Sequence, residues 1–121
     1  MHELSIALSI VEAAEEEVQR QGGGEVCTVH LRLGPLSGVV REALQFSWEL
    51  ACAGTPLERS ELTIENVPVR IYCGTCAAEG DPVSAQCLYC ARCGGTSCRV
   101  TAGAELEVVS LELVEFAESA T

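Results

Sequence analysis

Six of the eight cysteines fall in one stretch, CGTCAAEGDPVSAQCLYCARCGGTSC, residues 73–98. Its large apolar residues are mainly Val83, Leu88 and Tyr89, too few to build a core, so something else must hold it. Four thiolates closing two tight turns onto one metal ion would do so. The first turn is Cys73-Gly-Thr-Cys76. The second is open, because Cys87, Cys90 and Cys93 form two overlapping CxxC pairs. Cys90 and Cys93 are favoured because Gly94 and Gly95 come directly after them, and glycine permits the left-handed turn that brings backbone amides to a sulfur. Cys87 with Cys90, or a set drawing on Cys98, are the other choices. Zinc is the expected ion and four-thiolate iron the alternative; a closed site of this kind is a staple with no open position for catalysis.

Outside the insert the pattern predicts an α+β fold, two helices packed on a small mixed β-sheet. Residues 3–20 read as a helix, with Leu4, Ala7, Leu8, Val11, Ala14 and Val18 in one stripe and Ile6, Ile10 and Ala13 on a neighbouring edge. Gly22–Gly24 should end it. EVCTVHLRLG alternates like a half-buried strand, which places Cys27, Val29, Leu31 and Leu33 inward and His30 in solvent. Residues 40–52 read as a second helix, with Cys52 a structural residue near its end. ELTIENVPV and AELEVVSLELVE are the remaining strands, and a change of parity near Val108-Val109 predicts a bulge in the latter. Residues 1–69 with 103–121 therefore form one domain, and 70–102 are a zinc-ribbon-like insertion.

Charge narrows the function. Eighteen acidic residues oppose seven basic ones, all arginine, for a net charge of −11. Such a surface disfavours nucleic acid and suits a handler of cations or a basic partner. Without lysine there is no phosphate loop of the GxxxxGK[ST] kind. No apolar run approaches the roughly 18 residues of a membrane span. Clustered cysteines without a secretory signal point to the reducing cytoplasm, where they more often hold metal than disulfides.

MHELSIALSIVEAAEE, VHLRLGPLSGVVREALQFSWE, GTPLERSELTIENVP and the paired CxxC insert ahead of ELEVVSLEL occur in this order. Together they resemble the hydrogenase nickel-incorporation proteins of the HypA/HybF type across essentially the whole chain. The resemblance implies a nickel metallochaperone, not an enzyme. It would hold Ni(II) around His2 and deliver it to the large subunit of a [NiFe] hydrogenase, with a nickel-handling GTPase as partner. Cys87 and Cys98 are thiols beyond that pattern. The chemistry of the terminus fits: the Met1 amine, the intervening peptide nitrogen and the His2 imidazole form fused chelate rings of a kind Ni(II) accepts. Glu3 could add an oxygen donor or serve only the start of the helix. A zinc-ribbon protein-interaction module is the rival reading.

Overall fold

The computed structural model describes residues 2–114. Met1, an expected nickel donor, and Glu115, at the end of the last predicted strand, lie outside the described residues. Helix α1 (His2–Arg20) leads to strand β1 (Val26–Leu33), a 3₁₀ turn (Pro35–Ser37), helix α2 (Arg41–Cys52) and strand β2 (Glu61–Asn66). Five short strands come next: β3 (Arg70–Cys73), β4 (Ala78–Gly80), β5 (Pro82–Ser84), β6 (Cys87–Cys90) and β7 (Cys98–Ala102). Strand β8 (Leu106–Leu113) closes the order. The described residues divide into two compact units, one of 2–31, 39–64 and 108–114, the other of 32–38 and 65–107.

The first unit is built by the helices and the strands beneath them. α1 buries Ala7, Val11, Ala14 and Val18, and α2 buries Leu44, Ser47, Trp48, Ala51 and Cys52. Val26, Val29, Leu31, Leu57, Leu62 and Ile64 complete this core. Each fully buried Leu or Val contributes about 1.5–3 kcal/mol. Trp48 keeps its indole N–H satisfied by donating to Ser60 Oγ at 3.1 Å. The predicted α1 stripe is corrected at Leu8, which is half exposed between buried Ala7 and Val11. The glycines end α1 as expected: Gly23 N–H reaches Val18 O and Gly22 N–H reaches Gln19 O, with Gly22 at φ +96°. That bond pair is the Schellman arrangement, which needs a left-handed residue.

Strands β2, β1 and β8 form a three-stranded sheet in that order. Val26 N–H bonds Pro56 O and Val67 N–H bonds Leu33 O, so β1 and β2 run in the same direction. Val114 N–H bonds Glu25 O and Gly34 N–H bonds Glu105 O, so β8 runs against β1. In β1 the sequence expectation needs correcting: Val26 is buried and Cys27 is not. Cys27 and Thr28 are both half-buried between buried Val26 and Val29, so the alternation slips there and turns Cys27 out of the core. His30 pairs with Glu112 at 2.8 Å instead of meeting water alone.

In the second unit β3 lies between β4 and β7, and β5 pairs with β6, all antiparallel. Gly34 and Gly103 pass so closely that a Cβ on Gly34 would stand 2.1 Å from Gly103 O. Ile71, Cys73 and Cys90 are buried together, with Cys76 and Cys98 packed against them. Five residues, four of them cysteines, are a poor substitute for a hydrophobic core, as expected for a segment with so few large apolar residues.

Candidate metal centres

Cys73 ends β3, Cys76 lies in the turn beyond it, Cys90 ends β6 and Cys93 lies in a turn of its own. Their four sulfurs lie within 4.8 Å of one another. The Cys73–Cys93 separation is 3.7 Å and Cys76–Cys90 is 3.9 Å. A tetrahedral ion with metal–sulfur bonds of about 2.3 Å needs sulfur–sulfur edges of roughly 3.8 Å. The residues present therefore fit a zinc ion, which would supply no reaction here and would staple the two turns.

Backbone amides prepare the sulfurs. Cys76 N–H donates to Cys73 Sγ and Gly95 N–H donates to Cys93 Sγ, both at 3.3 Å. Gly94 takes φ +72°, the left-handed turn expected of it. Ala77 holds the equivalent place after Cys76 and takes φ +54° without that freedom. The Cys76 amide, with smaller help from neighbouring groups, lowers the Cys73 thiol to about 6. The amides of Cys93 and Arg92 lower Cys90. Cys76 is pushed up to about 12, first by its contact with Cys93 and then by burial. Four adjacent thiols do not all ionise unaided, and a dication in their midst removes the obstacle.

Cys87 begins β6 outside this group, its N–H donating to Ser84 Oγ at 3.0 Å. The overlapping Cys87/Cys90 choice is thus not the one the fold gathers. Cys98 packs behind the group, its thiol donating to Gly95 O at 3.4 Å, and burial raises its pKa. Nothing in its spacing signalled that position, because it results from the antiparallel pairing of Cys98 with Cys73.

In the first unit, His2 is exposed at the first position of α1. Glu3 accepts the Val40 N–H at 3.1 Å. This bond holds its carboxyl below the ordinary value. Val40 is the N-cap of α2 and has no side chain to offer the first turn. In the usual capping box a glutamate three residues into the helix bonds the N-cap amide; Ala43 stands there, and Glu3 of α1 does this instead.

Residues 1–113 match the family described as hydrogenase/urease nickel incorporation, metallochaperone, hypA. The chain is 46% identical over 121 residues to a hydrogenase maturation factor HypA of Roseiflexus sp. (strain RS-1), covering 100% of this chain and 98% of the relative. It is 45% identical to its namesake in Chloroflexus aggregans over 93% of this chain and 98% of that one. Among solved structures, the solution structure of the Ni metallochaperone HypA from Helicobacter pylori has a similar fold. Its TM-score is 0.65 at 20% identity, over 93% of this chain and 97% of that one. A second HypA solution structure gives 0.70 at 22% identity, over 94% and 97%.

Proposed function

The chain belongs to the HypA family of hydrogenase and urease nickel-incorporation metallochaperones, and from that premise we propose that it carries Ni(II) at its own N-terminus. The family is one of metallochaperones and not of enzymes. In this reading nickel is cargo, bound by the Met1 amine, the first peptide nitrogen and the His2 imidazole. It is handed on for assembly of a [NiFe] hydrogenase large subunit with the help of a nickel-handling GTPase in the cytoplasm. Zinc in the four-cysteine group of residues 70–102 is structural; residues 1–69 and 103–121 handle the nickel.

The observation that carries the reading is the family match from residue 1 onward, joined to an exposed His2 at the head of α1. A releasable cargo needs an accessible site. By the Irving–Williams order Cu(II) would bind such nitrogens more tightly, so selectivity rests on metal supply and on the recipient. Glu3 is engaged with Val40, which gives it a structural task whether or not it also touches the metal.

His2→Ala should abolish tight Ni(II) binding in calorimetry while one zinc per chain remains. A short extension ahead of Met1 should do the same, because it turns the amine into a peptide nitrogen that holds its proton far more strongly. Unchanged nickel affinity in the extended protein removes the amine from the site. Unchanged affinity in His2→Ala removes the terminus altogether.

A further inference from the structure

Cys73 ends β3 and Cys98 begins β7, and the antiparallel register sets the two directly opposite each other. One residue further on, Gly74 N–H donates to Ser97 O at 2.8 Å. That bond makes Cys73 and Cys98 a non-hydrogen-bonded pair, the kind whose side chains share one face with Cα atoms about 4.5 Å apart. The preceding pair, on the other face, shows the same register: Arg99 lies over the Tyr72 ring at 5.2 Å. We propose that Cys98 is a redox thiol paired with Cys73. A peroxide joins the two in a cross-strand disulfide, which withdraws Cys73 from the four-cysteine group and releases its zinc.

Geometry allows the bond. A disulfide spans Cα atoms roughly 4.4–6.8 Å apart, and this ladder position falls inside that range without backbone movement. The thiols are also in company: Cys98 packs against Cys73 and Cys90. Burial, and after it the neighbouring Cys73 sulfur, raise the Cys98 pKa. Finally, Cys98 is outside the metal set. Cys93 stands 3.7 Å from Cys73, but the ion would hold both of those sulfurs. Cys98 is the neighbour it leaves free, with only the Gly95 carbonyl as hydrogen-bond partner at 3.4 Å. Cys87 is opposite Ser84 and has no thiol across the ladder.

The step balances with a peroxide as oxidant. Cys98 is half-buried and Cys73 buried, so the peroxide meets Cys98 first. The Cys98 sulfur gives up its proton and attacks one peroxide oxygen. An S–O bond forms, the O–O bond breaks, and water leaves a sulfenic acid behind. The Cys73 thiolate then attacks that sulfur; the S–S bond forms, the S–O bond breaks, and hydroxide departs to be protonated by solvent. Two electrons pass from sulfur to peroxide. The ion keeps three of its four thiolates, and a thiol reductant restores the fourth. The proposal rests on the reading of the four-cysteine group as a zinc site.

The test uses the full chain, first shown by metal analysis to carry one zinc, treated with hydrogen peroxide beside a colorimetric zinc indicator. The unaltered chain should release zinc at least tenfold faster than Cys98→Ser, and Cys87→Ser should release it at the unaltered rate. Before oxidation both variants should keep one zinc and their circular dichroism. In the unaltered chain, quenched with N-ethylmaleimide, fragmentation mass spectrometry should find Cys73–Cys98 as the first disulfide. Reductant and added zinc should then restore one equivalent. The mapping decides alone if Cys98→Ser does not hold zinc. A first disulfide between Cys73 and Cys93, or between Cys76 and Cys90, overturns the proposal, as does equal release from a zinc-loaded Cys98→Ser chain. Absence of zinc in the untreated protein overturns the zinc reading instead, and the mapping still judges the thiol pair.

Discussion

Cys90 and Cys93 differ from Cys87 in the residues on their C-terminal side, and that decides which thiols can converge. After Cys93 come two glycines, one left-handed at φ +72° and one donating its amide to the sulfur. After Cys87 come Leu88 and Tyr89 in an extended strand, which turns no amide back. Cys93→Ala should therefore lose the zinc and loosen the second unit while α1 and α2 keep their circular dichroism. Cys87→Ala should keep a full equivalent by metal analysis, and the reverse result would reassign the ligands. The choice of Cys90 and Cys93 is readable from glycine alone. The place of Cys98 is not, because strand pairing brings it there from five residues beyond Cys93. The exit of Cys27 from the core is equally hidden, since perfect alternation predicts the opposite and only the slip in β1 reveals it.

At the scale of elements, both helices are legible because their apolar spacing matches the helical period and glycines stop the first. The long strands are legible too, with boundaries slightly too generous. The predicted strand 61–69 ends at Asn66, where Val67 N–H turns to Leu33 O. The five short strands of the insert are not, for three to five residues give no period to detect. The link between α1 and α2 is also invisible in the sequence. Glu3 bonds the N-cap amide of a helix 37 residues away, a partner that only folding supplies. Glu3→Ala should lower the melting temperature at pH 7. The Glu3 carboxyl is depressed in the folded chain, so its contribution is full above the unfolded value near 4.5 and fades as pH falls through the lower folded one. Melting curves of the two proteins should converge in acid, once pH lies below the depressed folded value; an equal gap at neutral pH and in strong acid would show that the carboxylate is not the cause.

Across the whole molecule, a groove of about 480 Å³ remains between α1 and β8, with Ile10, Ala13 and Ala14 on one side and Val109, Leu111 and Leu113 on the other. The helix edge that exceeded one core stripe is thus only partly filled: Ile10 is half-buried and Ala13 exposed. If this edge meets the nickel-handling GTPase, Ile10→Glu should weaken that association at least tenfold in calorimetry while the chain stays folded by circular dichroism. An unfolded variant would mark Ile10 as ordinary core, and unchanged affinity would place the partner elsewhere. The sequence by itself determined the two-helix and sheet plan, the insert stapled by thiols, and the family, because helical period, cysteine spacing and the Met-His-Glu start are local patterns that survive without coordinates. Only the tertiary structure decided where Cys98 lies, that Glu3 caps a distant helix, and that Cys27 and His30 both reach Glu112. Each of those joins residues remote in the chain, and their encounter depends on register and packing, which no local pattern encodes.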